Sequence, residues 1–150
     1  MNRNWYKAAK ELEKQELLSM ISDIHKEAYG FRPRGRYNEC TVEELIKEID
    51  YLSKEATRVY EEEQAHAKHC AAEYEDHIQT LIDLGASNRQ VALWWDLDGD
   101  KYFSFEYPDV EHYVWNQGFL FTDEGRALVN ELTELLKDSE EEMYRKYLVA

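Results

Sequence analysis

Apolar residues recur at helical spacing along most of the chain. Between Asn4 and Tyr29, Leu17, Ile21, Ile24 and Ala28 fall every three or four positions with charges between them, and Gly30 follows as a left-handed stop. This predicts a first helix. Thr41-Val42-Glu43-Glu44 has the form of a capping box, in which the Thr hydroxyl and the Glu carboxylate each take a backbone N–H left free at a helix start. The seam that follows, Leu45, Ile49, Leu52, Ala56 and Val59, alternates steps of four and three, as in helices packed lengthwise. The same register continues through Glu63, His66 and Cys70, so the seam turns polar before Ile78, Leu81 and Ile82 restore it and Gly85 ends it. With no Pro or Gly from Thr41 to Leu84, the stretch reads as one helix of roughly 65 Å at the standard rise. Such a helix must project or fold back on the first.

Ser87 or Asn88 caps a short helix through Trp95, which the turn-rich Asp96-Leu97-Asp98-Gly99-Asp100 is expected to end. Lys101 to Tyr107 alternates, with Phe103, Phe105 and Tyr107 on one side, and predicts a short strand. Pro108 and Asp109 open a brief helix to Gly118, a hairpin turning at Asn116-Gln117-Gly118 being the alternative. Thr122 caps a last helix whose stripe runs through Leu128, Leu132, Leu135 and Leu136 and returns at Met143, Tyr147 and Leu148. The expected fold is mainly α and one domain: a long helical hairpin or arm over 1–84, packed with a compact aromatic-rich C-terminal module over 85–150 that contains a short β element.

Charge narrows the function classes. Lys plus Arg number 18 against 32 Asp plus Glu, a formal net charge of -14, which repels nucleic-acid backbones and anionic membranes alike. Direct nucleic-acid binding is not expected. No apolar run approaches the roughly 20 residues of a spanning helix, and Met1 to Lys10 lacks the apolar core of a signal peptide. A cytoplasmic location is expected. Cys40 and Cys70 would sit roughly 45 Å apart if one helix joined them, which rules out a disulfide between them. Ten aromatic residues between Trp94 and Phe121 suit a small packed core, with some left as interface anchors.

Candidate chemistry is thin. Glu63-x-x-His66 has the spacing by which di-iron bundles aim two ligands inward, but no second copy accompanies it. With His69, Cys70, Glu73 and His77 it could form a metal face, and a metal-dependent enzyme using Glu63, His66, Cys70 and His77 is a minor alternative to a solvated surface. Asp96, Asp98 and Asp100 alternate like the start of a calcium loop, yet Lys101 replaces the turning Gly and Tyr107 the closing Glu. Phosphate-cradling loops, dinucleotide fingerprints, nucleophile elbows and zinc-spaced Cys pairs do not occur in the sequence. A non-enzyme without a cofactor is expected, and no catalytic residue is assigned.

Protein binding has more support. Phe31 to Asn38 holds Arg32, Arg34 and Arg36 around a Pro and a Gly, a basic island flanked by the aromatic Tyr29, Phe31 and Tyr37. Along the second helix Glu61, Glu62, Glu63, Glu73, Glu75 and Asp76 outnumber Arg58 and Lys68. Carboxylates three or four positions apart on a helix lie about 5 to 6 Å from each other, of the order of nucleic-acid phosphate spacing, so such a row can occupy a basic channel. The bland alternative is a solubilising face.

The segment His25-Lys26-Glu27-Ala28-Tyr29-Gly30-Phe31-Arg32-Pro33-Arg34-Gly35, with Leu84-Gly85-Ala86-Ser87-Asn88-Arg89-Gln90-Val91-Ala92-Leu93-Trp94-Trp95, resembles a group of small acidic uncharacterised proteins of tailed bacteriophages. The likeness covers roughly Ser22 to Trp95 and brings no activity. It implies a viral accessory protein that inhibits a host nucleic-acid-processing or defence enzyme, of anti-restriction or anti-CRISPR type, by DNA mimicry. The expected partner is a host protein with a basic surface. The alternative is a structural or adaptor protein, a homodimer associating through the long helix.

Overall fold

A computed structural model describes residues 3–148; the start of the polar stretch at Met1 lies outside them. It contains six helices: α1 (Arg3–Tyr29), α2 (Val42–Asp83), α3 (Arg89–Gly99), α4 (Val110–Gln117), α5 (Asp123–Leu135) and α6 (Glu140–Leu148). The protein is mainly helical, and none of the helices is long and apolar enough to cross a membrane. The chain forms two compact units, Met1–Glu63 and Gln64–Ala150, whose boundary falls inside α2. The polar middle of the α2 seam explains the position: apolar contacts on the helix stop there and a separate set begins.

In the first unit, Ile21, Leu45 and Leu52 are fully buried, with Leu17, Leu18, Ile24 and Ile49 packed around them. Full burial of each aliphatic side chain contributes about 1.5–3 kcal/mol. Thr41 and Glu44 form the capping box, Thr41 N donating to Glu44 Oε2 at 2.9 Å and Glu44 N to Thr41 Oγ1 at 3.2 Å. α2 packs on α1, but not as an antiparallel hairpin. Lys14 reaches Asn38 just ahead of α2, Tyr29 meets Tyr51 within it, and Ile24 and Glu27 share a groove with Ser53 to Glu63, so contacts advance in the same sense along both helices. Residues 30–41 double back along α1 as a strap, and that needs the twelve residues available between α1 and α2.

The second unit is built on the last part of α2. Ala71, Tyr74 and Ile78 pack with Leu93, Leu97, Val114, Leu128, Leu132 and Met143. Asn88 caps α3, its Oδ1 accepting from Val91 N at 3.0 Å while its Nδ2 donates to Tyr147 O at 2.6 Å, which ties α3 to α6. Arg89 adds a clamp, donating to Glu75 on α2 at 2.5 and 2.9 Å and to Glu131 on α5 at 2.7 and 3.1 Å.

Three expectations need correction here. α3 does not stop at Trp95 but runs to Gly99, because Leu97 extends the buried face of Leu93 by one more turn. No strand occurs among the described residues. Over Lys101 to Tyr107 the backbone donors of Tyr102 and Phe103 are both taken by Asp100 Oδ1 at 2.9 Å, and the aromatic alternation arises from ring packing, Phe105 stacking on Trp94 at 4.8 Å. The last helix is two. Ser139 and Glu142 form a second capping box that starts α6, with the same Ser/Thr-x-x-Glu form as Thr41 to Glu44. The brief helix from Asp109 is present as α4, closed by Gly118 at φ 93°, where a residue with a side chain is strained.

A hydrogen-bonded chain crosses this unit: Tyr74 and Tyr113 share a bond of 2.9 Å, Tyr113 donates to Asp96, and His77 Nε2 lies 2.6 Å from the other Asp96 oxygen. Burial pushes both phenols above their ordinary value of 10.0. A raised folded pKa gives stability that is fully present below pH 10 and lost as pH rises beyond it. Two phenols ionising only on unfolding cost about 2.7 kcal/mol per pH unit above that point. Alkaline titration should show most tyrosines ionising while near-ultraviolet dichroism persists, and a last set ionising together with its loss. Complete ionisation with the dichroism intact would contradict the buried chain.

Candidate functional site

The strap is fixed at several points. His25, 1 % exposed, donates from Nδ1 to the Phe31 carbonyl at 2.7 Å and stands among the rings of Tyr29, Phe31 and Tyr37. Lys14 Nζ donates to Asn38 O at 2.7 Å. Arg32 donates to Asp23 at 2.6 Å and to Ser22 at 2.9 Å, so this arginine serves the strap rather than projecting from it. Tyr37 is buried and donates to Glu48 at 3.0 Å; burial first and Glu48 second push its phenol up. Gly35 turns the strap at φ 68°, a left-handed value.

What the strap presents is an aromatic and basic surface. Phe31 is 62 % exposed, an unusual placement for a phenyl on a segment held this firmly. With Lys26, Arg32 and Arg34 it lines an open recess of about 730 Å³ that no acid borders. The side chains of Lys26 and Arg34 have no hydrogen-bond or ion-pair partner among the described residues. Arg36 lies over the Tyr37 ring at 5.6 Å. Tyr29 is exposed, its phenol pushed up by its hydrogen bond to Tyr51. The structure thus brings Phe31, Arg32 and Arg34 to one recess, with Tyr29 against the His25 ring and Arg36 over Tyr37.

The acidic candidates divide between the two units, and several are already paired. Glu61, Glu62 and Glu63 belong to the first unit, and Glu73, Glu75 and Asp76 to the second. Glu62 is held by Arg58 at 2.6 Å, Glu75 by Arg89 at 2.5 Å, and Glu73 lies 3.2 Å from His69. Glu61, Glu63 and Asp76 are without an ion pair among the described residues. Two guanidinium groups therefore interrupt the row of negative charge.

The metal candidates are likewise dispersed. Cys70 Sγ lies 3.5 Å from His66 Nε2 and His77 is turned to Asp96, and no group of three His, Cys, Asp or Glu able to hold a metal ion occurs among the described residues. Asp96 and Asp100 spend their carboxylates on Tyr113, His77 and the turn amides. Both cysteines are free.

Lys26 belongs to the recess but was not among the sequence candidates. Its signal was its position four residues before Gly30, Gly30 N donating to Lys26 O at 2.8 Å as the strap turns over it. Lys14 and His25 gave no signal, since their partners on the strap are backbone carbonyls. The chain matches no protein-family model, and neither the curated proteins nor the solved structures give a match.

Proposed function

We propose that the chain is an accessory protein of bacteriophage type that binds and blocks a host nucleic-acid-processing or defence enzyme, anchoring through the strap while its negative charge steers the approach. The observation that carries this reading is the exposed Phe31 beside the unpaired Lys26 and Arg34 on a segment tied down by His25, Lys14 and Arg32. Aromatic and Arg side chains dominate binding hot spots, and a surface ordered before binding avoids the entropy cost of ordering it on contact.

The enzyme class follows from combining two charges. A site that processes nucleic acid has basic walls and, where metal ions act, carboxylates at its centre. A protein of net charge -14 is drawn to the walls, and the Arg-bearing strap suits the centre. DNA mimicry along α2 is the weaker part of the proposal, because Arg58 and Arg89 already neutralise Glu62 and Glu75.

The test is capture on the tagged protein from bacterial lysate at low and high salt, with bound proteins identified by mass. The expected partner is a nucleic-acid enzyme that salt weakens, DNA displaces, and the chain inhibits when both are purified. Recovery of the chain itself alone, or of virion components, would overturn the proposal.

A further inference from the structure

The first unit has a second feature that the strap does not use. α1 covers the α2 seam only as far as Leu52, and beyond it Ile24 on α1 with Ala56, Val59 and Tyr60 on α2 floor an open groove of about 600 Å³. All four are at least partly exposed, Tyr60 at 61 %. Glu27 and Glu63 stand at its rim, both exposed and neither in an ion pair among the described residues. The groove follows α2 over residues 53–63, about 15 Å or roughly three helical turns.

We infer that this groove receives an amphipathic helical segment of a partner protein, with apolar residues on one face and Lys or Arg flanking them. Shape argues for a helix. The lining positions on α2 are spaced by three and four, so they form a single helix face, and a third helix laid lengthwise completes the packing that α1 leaves unfinished. Three turns accept apolar residues at i, i+3 or i+4, and i+7.

Charge fixes the chemistry of the flanks. Glu27 and Glu63 bracket the apolar floor, so a helix with cations at its edges meets two unpaired carboxylates, while an acidic helix meets repulsion from them and from the net charge of -14. The same argument weighs against a second copy. Two such grooves face to face would oppose their own carboxylates, and the strongest apolar positions of α2, Leu45 and Leu52, are already buried against α1.

The full chain can be tested with a labelled synthetic amphipathic peptide of Leu and Lys, about 14 residues or four turns long, by fluorescence anisotropy. A shuffled peptide of the same composition controls for general attraction to an acidic protein. The amphipathic peptide is expected to bind at least tenfold more tightly than the shuffled one. Glu27→Gln with Glu63→Gln should weaken it about tenfold, Glu140→Gln with Glu141→Gln, which remove the same charge from α6, should leave it unchanged, and Ala56→Trp should abolish it by filling the floor. Equal binding of both peptides, or equal effects of the two charge pairs, would overturn the inference. So would sedimentation of the chain as a dimer that Ala56→Trp dissociates, which would assign the groove to a second copy.

Discussion

Replacing Gly125 with Ala is expected to destabilise the second unit by about 3 kcal/mol, although the same change inside an ordinary helix gains close to 1 kcal/mol. The sign reverses because of the turn beneath α5. A Cβ at Gly125 would lie 2.0 Å from Phe119 O, 2.7 Å from Leu120 O and 2.8 Å from Leu120 Cα, all backbone atoms. That backbone has little freedom to move. Phe119 O already accepts the Thr122 hydroxyl at 2.6 Å and Thr122 N at 3.2 Å, and Thr122 Oγ1 in turn accepts Gly125 N at 3.0 Å. Shifting the turn therefore strains the core around Phe119 and loosens the cap of α5, a loss typically near 1 kcal/mol by itself. Urea denaturation followed by tryptophan fluorescence measures the change directly. Gly99→Ala provides the contrast, since nothing lies within 4 Å of its Cβ and its effect should stay within about 0.5 kcal/mol. An unchanged midpoint for Gly125→Ala would mean that α5 does not meet the turn this closely.

On the binding side, Phe31→Ala is expected to weaken the captured complex by about 30-fold, near 2 kcal/mol, the level that defines a hot spot. Arg34→Glu should weaken it further, because it removes a cation from the recess and adds repulsion in its place. Arg34 holds nothing on the strap and Phe31 touches it only through an edge contact with the His25 ring, so the thermal midpoint should move little. Arg145→Glu makes the same charge change in α6, on the second unit, apart from its exposed pair with Glu141, and should leave affinity within about twofold. Affinities from surface plasmon resonance at fixed salt decide the matter. Equal losses for Arg34→Glu and Arg145→Glu would reduce the role of the strap to net charge.

Much of the fold was legible because periodicity and capping are local. The Thr41 box, Gly30 and Gly118 mark helix ends as the residue types require, and Leu45 and Leu52 are buried as the seam predicts. The missed break before α6 was equally local: Ser139-x-x-Glu142 was legible but lay inside a continuing apolar stripe. The strand over Lys101 to Tyr107 failed for a different reason. Alternating aromatics describe which rings face inward, and only a partner edge makes them a strand; here Asp100 takes the donors such an edge needs. The direction of α2 relative to α1 was not legible, because it depends on Lys14 and His25 reaching backbone carbonyls 24 and 6 residues away. For the site, grouping Tyr29 with Phe31, Arg34 and Arg36 followed from their nearness in sequence. The acidic row looked continuous only because Arg89, 14 residues beyond Glu75, could not be seen to fold onto it.

The ties of the strap have an evolutionary consequence. His25 and Lys14 grip the Phe31 and Asn38 carbonyls, which every amino acid supplies, and Arg32 is anchored on α1 by its own side chain. The frame therefore does not depend on what residue 34 carries outward, while at residue 31 the ring adds only an edge contact to His25. On the proposed reading, a lineage facing a changing target can exchange the outward side chains and keep the same folded scaffold.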